Sequence, residues 1–143
     1  MCIRDSAVTV PVGAYASNVL QYNSYGATSW VNVLSLSINP QGGTLYVSGS
    51  VKADASKSVG AGNTGSTFVA VRLRVGGNTY DLGTVLYAYE YLSYATVDTS
   101  GIGSFSVFAG NYNSTQQVYL DVRSDATTLR VTNRSLVTWS ARR

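Results

Sequence analysis

The feature that most constrains this chain is a side-chain alternation of period two, recurring from Ser29 to the C-terminus and never replaced by a helical period. Successive residues of a strand point to opposite faces, so apolar residues at every second position bury one face and leave the other in water. In "SWVNVLSLSINP", Trp30, Leu34, Leu36 and Ile38 share one parity, Ser35 and Ser37 take the other, and Pro40 ends the run. Gly42-Gly43 turns the chain into "TLYVSGSVKADAS", where Leu45, Val47, Val51 and Ala53 oppose Tyr46, Ser48, Ser50, Lys52 and Asp54. Next, in "FVAVRLRV", Val69, Val71, Leu73 and Val75 alternate with Ala70, Arg72 and Arg74. The following "GGNT" predicts a tight hairpin into a returning strand.

Further along, "SVGAGNTGST" (Ser58 to Thr67) reads as a loop, rich in Gly and small polar residues. After Gly83-Thr84, "VLYAYEYLSYATV" reads as another strand, with Tyr87, Tyr89 and Tyr91 on one face and Leu86, Ala88, Glu90 and Leu92 on the other. "DTSGIG" (Asp98 to Gly103) reads as a turn cluster, and "SFSVFAG", "QQVYLDVRS", "TTLRVTN" and "RSLVTWSARR" as strands. Eight or nine short, closely spaced strands predict an all-β fold, an antiparallel β-sandwich or barrel. The expected core is Leu34, Leu36, Val47, Val71, Leu73, Val118, Leu120 and Leu136, facing inward between two sheets. Composition agrees: soluble helices draw on Glu and Lys, and this chain has one Glu, two Lys and only 12% charged residues.

The opening "MCIRDS" shares none of this texture. It holds the only Cys and the only Met, and no charged residue follows it until Lys52. Written as codons, ATG TGT ATA AGA GAC AG, it resembles the transposon end ligated to DNA fragments during sequencing-library preparation. Residues 1–6 are therefore expected to be a non-native, adapter-derived segment with no part in the fold. Residues 7–28 read as an entering strand or linker, and 29–143 as the β-sandwich domain.

The absence of His from the sequence removes the usual general base near neutral pH and the commonest metal ligand. The carboxylates Asp98 and Asp125 lie in turn-like runs, where Asp usually bends or caps backbone. No catalytic residue, metal or cofactor is expected. The net charge is +3, and Arg72, Arg74, Arg123, Arg130 and Arg134 are scattered singles or pairs, read as solvated strand faces. Nucleic acid is not an expected partner, and no apolar run approaches a membrane span.

Tyrosine is the residue with binding character. Eleven Tyr exceed what a core needs, because a buried phenol must find a hydrogen-bond partner while an exposed one offers flat apolar area with a polar tip. Tyr87, Tyr89, Tyr91 and Tyr94 form the candidate surface. Three uses are open to it: cross-strand support of the sheet, a subunit interface, or contact with a glycan.

The closing "GSFSVFAGNYNSTQQVYLDVRSDATTLRVTNRSLVTWSARR", with "VNVLSLSINPQGGTLYVSGSV" and "VAVRLRVGG" upstream, resembles the C-terminal jelly-roll modules of tail-fibre and other virion proteins of tailed bacteriophages. The likeness spans roughly Ser29 to Arg143. It implies a jelly-roll sandwich in a homotrimeric, non-enzymatic virion protein that contributes to attachment at a bacterial surface. The other reading is a monomeric carbohydrate-binding β-sandwich from a bacterial secreted protein, extracellular instead of virion-borne. Oligomeric state separates the two.

Overall fold

A computed structural model describes residues 12–23, 29–59, 64–91 and 96–141. The adapter-like segment 1–6 lies outside them. Nine strands follow in order: β1 (Val12–Ala16), β2 (Leu20–Asn23), β3 (Val31–Ile38), β4 (Thr44–Ser58), β5 (Thr64–Val75), β6 (Asn78–Tyr91), β7 (Thr96–Asn111), β8 (Gln116–Ser124) and β9 (Thr128–Ala141). They form two antiparallel sheets, β1-β9-β4-β7 with β2 also on β9, and β3-β8-β5-β6. From β2 onward every connection except the β5–β6 hairpin crosses between sheets, and this order is that of a jelly roll. β1 and β2 pair consecutively along β9, so residues within the 7–28 stretch are strands of the first sheet.

The inner faces are Val and Leu. Leu45, Leu73, Leu120, Leu129 and Leu136 are wholly buried, as are Val47, Val51, Val71 and Val118. Each such side chain contributes about 1.5 to 3 kcal/mol of apolar burial. The expected core residues all face inward, with Leu34 half-buried at its margin. The β5–β6 hairpin turns through Gly76 and Gly77 at φ 56° and 81°, between the paired residues Val75 and Asn78. Positive φ at both central positions is what a type I′ turn requires and what glycine supplies.

Four local expectations are corrected. Thr64 to Thr67, read as loop, belong to β5, and Thr67 is wholly buried because its hydroxyl donates to Asp125 at 2.9 Å. Gly83-Thr84, read as a break between strands, lies inside β6, where the β5–β6 register shifts as Ala70 pairs Thr84 and Val69 pairs Leu86. That is a bulge, with Gly83 at φ 78°. Val97, read as the end of the Tyr-bearing strand, sits in β7, whose start at Thr96 is separate from β6. "DTSGIG" is also continuous β7, paired residue by residue with β4. Its glycines serve close approach instead of turning: a Cβ on Gly103 would sit 2.6 Å from the Cβ of Val85 on β6, at the edge where the two sheets meet.

A fifth correction matters for the site. β3 carries a bulge at Val33: Asn32 pairs Asp121 while Leu34 pairs the adjacent Leu120. Val33 is thereby buried, and the parity flips between positions 32 and 34. Trp30, expected on the inner face with Leu34, is delivered to the outer one. The bulge is fixed from inside by Arg134, which is 4% exposed and donates from Nε to the Val33 carbonyl at 2.6 Å. The same guanidinium donates to the Asn18 carbonyl at 2.7 Å and to its side-chain oxygen at 2.9 Å.

Candidate functional site

The outer face of the β3-β8-β5-β6 sheet gathers aromatic rings and guanidiniums from β5, β6 and β8 and from Trp30, just before β3. On β6, Tyr87 and Tyr89 are 61% and 64% exposed, and they pair across to Phe68 and Ser66 of β5. Pairs directly opposite in a sheet share a face, so Phe68 continues the tyrosine ribbon inward. The side chain of Tyr91 and the whole of Tyr94 lie outside the described residues. Leu86, paired with buried Val69, takes the opposite face and packs against the core.

Beyond Phe68 the face turns cationic. Arg123 of β8 lies 5.8 Å from the Phe68 ring centroid and 4.9 Å from that of Trp30. Arg72 of β5 approaches the same Trp30 ring at 4.5 Å, and Arg74 lies 4.5 Å from Tyr119. Guanidiniums stack on rings because the π face is negative and the guanidinium is weakly hydrated. The expectation that these arginines are scattered is therefore corrected for three of them, since antiparallel pairing of β5 with β8 brings distant positions side by side.

One buried carboxylate organises this array. Asp121, 1% exposed, accepts from Arg72 Nε at 2.9 Å, Arg74 Nε at 2.6 Å, Arg74 Nη2 at 3.1 Å and Asn32 Nδ2 at 3.2 Å. Burial pushes its carboxyl up, but the hydrogen bonds from Arg74, Arg72 and Asn32 outweigh that and hold it below the ordinary value. The bond to Asp121 raises Arg74 in turn, against its own desolvation. Arg123 has no such partner. Its Nε is buried without an acceptor, and no hydrogen bond from its guanidinium is found among the described residues.

The opposite sheet presents different chemistry. Across β9, β4 and β7 its outer rows read Trp139–Tyr46–Phe108, then Val137–Ser48–Ser106, then Ser135–Ser50–Ser104. Tyr46 stacks on Trp139 at 5.6 Å and meets Phe108 edge-on at 5.4 Å. Phe108 and Ile102 are 60% and 65% exposed. Charge returns only further along the face, at Lys52, Asp54 and Arg130.

Among the described residues no cluster of His, Cys, Asp or Glu could hold a metal ion, and no helix is long and apolar enough to cross a membrane. No protein-family model matches the chain, and no curated protein does. Among solved structures it is similar to that of the infectious bursal disease virus Gx strain, at 13% identity and a TM-score of 0.46, over 94% of this chain and 37% of that one. The chain thus spans little more than a third of that viral protein. It is also similar to Bacillus endospore appendages described as disulfide-linked pili, at 12% identity and a TM-score of 0.39, over 100% and 97% of the two chains. A third is the CBM36-1 domain of a multidomain xylanase from the hindgut metagenome of Trinervitermes trinervoides, at 13% identity and a TM-score of 0.36, over 88% and 96%.

Proposed function

We propose that this jelly-roll sandwich is a non-catalytic virion module, of the tail-fibre kind its sequence resembles, that assembles as a homotrimer and contributes to attachment at a bacterial surface. The observation that carries the attachment reading is the exposed ribbon of Tyr87 and Tyr89, continuous with Phe68 and with the arginine-flanked Trp30. Flat rings with polar tips on a sheet face suit sugar rings, whose C–H faces stack on aromatics while their hydroxyls meet polar neighbours. Trimerisation is assigned to the other sheet. Its serine rows and exposed Phe108 make a locally uncharged surface, which a neighbouring subunit covers without desolvating an ion, and exposed Ile102 extends it to a margin where Lys52 is its cross-strand partner.

The test has two readouts on the whole chain. Light-scattering mass is expected to give three copies, and Phe108→Ser with Ile102→Ser to give a folded monomer. Binding of fluorescently labelled protein to a panel of bacterial cells is expected to fall when Tyr87 and Tyr89 are both replaced by Ser, with the mass unchanged. A monomeric wild-type chain that still binds polysaccharide would favour the carbohydrate-binding domain of a secreted protein. Loss of the trimer in the tyrosine variant would exchange the roles of the two faces.

A further inference from the structure

Arg123 stands apart from every other cation on its sheet. Arg72 and Arg74 share Asp121, and Arg134 of the other sheet is satisfied by carbonyl and amide oxygens, yet Arg123 lies between Trp30 and Phe68 with no acceptor among the described residues. Two guanidiniums within 5 Å of the Trp30 centroid repel each other, and only Arg72 has its charge matched there. An unmatched, half-buried guanidinium held by ring stacking is the arrangement that recognises an anion, because the planar fork is pre-organised and its Nε is already out of water.

Resting on the attachment reading, we propose that Arg123 is the anion-reading residue of a saccharide site, and that the ligand is an acidic sugar whose carboxylate meets Arg123 while its ring stacks on Phe68 and Tyr87. The charge count favours this over nucleic acid. Among the described side chains, three guanidiniums on the face are set against the carboxylates Asp121 and Asp81, which leaves one net positive charge, suited to one carboxylate per contact. A phosphate backbone is held by a stripe of unmatched cations, which Asp121 prevents here.

The test uses the full chain and three classes of probe: oligogalacturonate and polysialic acid, the methyl ester of the same oligogalacturonate, and oligo-dT. Isothermal titration is expected to show at least one acidic oligosaccharide binding, the oligogalacturonate about tenfold or more tighter than its ester if that is the one bound, and the affinity falling with added NaCl. Arg123→Gln should cost the acidic ligand roughly ten- to hundredfold, the range of a charged hydrogen bond, and remove the salt dependence. Arg123→Lys keeps the charge without the fork and should fall between. Tyr87→Ser should weaken acid and ester alike, which a purely electrostatic site would not show. Equal binding of acid and ester, an unchanged affinity in Arg123→Gln, binding to none of the acidic probes, or tighter binding to oligo-dT would each overturn the proposal. The acid and ester comparison needs no variant, so a folding defect in Arg123→Gln cannot rescue it. Cell binding that survives without any acidic preference removes the anion site and leaves attachment standing; no cell binding at all removes the attachment reading itself.

Discussion

Replacing Asp121 by Asn tests whether one buried carboxylate organises the aromatic and cationic face. The substitution keeps the shape and one acceptor oxygen but puts an NH2 where two donors now point. If that group takes the Oδ2 position, it faces Arg72 Nε and Arg74 Nε; if it takes Oδ1, it faces Arg74 Nη2 and Asn32 Nδ2. Two hydrogen bonds are lost in either orientation. Bonds to charged groups contribute about 1.5 to 3 kcal/mol each. The arginine side chains are 25% and 39% exposed, so both can turn partly to water, and the loss is discounted to roughly 2 to 3 kcal/mol near neutral pH. The pH dependence carries a sign. Asp121 is held below its ordinary value of 3.8, so its contribution is fully present above that value and is lost as pH falls through the lower folded value. Urea unfolding followed by tryptophan fluorescence should therefore show a constant gap between wild type and Asp121→Asn from about pH 5 to 8, closing at lower pH. Parallel curves down to about pH 2.5, or a cost below about 0.5 kcal/mol at pH 7, would refute the reasoning.

Leu73 and Leu120 are wholly buried cross-strand partners, so each Leu→Ala change should cost about 2 to 5 kcal/mol in urea unfolding, and the double variant should cost less than the sum. Gly103→Ala should cost about 1 to 3 kcal/mol, because its new Cβ meets the Val85 Cβ at 2.6 Å and β6 must move off β7; a neutral result would mean that this edge is loosely packed. Arg134→Met should lose about 2 to 4 kcal/mol by stranding the Val33 and Asn18 carbonyls, and should shift the fluorescence of Trp30 as the β3 bulge relaxes.

The sandwich was legible wherever alternation ran unbroken. Leu45 to Ala53 on β4, Val69 to Val75 on β5 and Val118 to Val122 on β8 all bury the face that their parity assigns, because a one-residue slip would put a whole apolar set into water. The "GGNT" hairpin was legible because positive φ at two successive residues has a strong glycine signature. Turn signals failed where glycine answers two different demands: Gly83 marks a bulge, and Gly103 a close approach, and neither position turns the chain. Nothing in a single sequence separates these uses, since the neighbour that demands the glycine is distant in the chain. Half of the candidate site was legible in the same way. Tyr87 and Tyr89 stood out by number and spacing, and the structure places them outward, while Arg123, Trp30 and Phe68 meet only through the β5–β8 and β5–β6 pairings.

Trp30 shows how the fold makes a surface that its local pattern argues against. With β3 regular, positions 30, 32, 34, 36 and 38 would share the inner face, Trp30 would join the core, and Arg123 would keep only the more distant Phe68 ring. The bulge at Val33 moves Trp30 and Asn32 outward together, so the residue that supplies the ring for Arg72 and Arg123 arrives with one that donates to Asp121. A bulge leaves a carbonyl off its ladder, and burying it unpaired costs free energy, so something on the inside must donate to it. Arg134 does so from β9 of the other sheet, a long cationic side chain spent within an apolar core. The outward display of Trp30 thus depends on a buried arginine on the far side of the sandwich, and the chemistry of one sheet's outer face is set through the inner face of its partner.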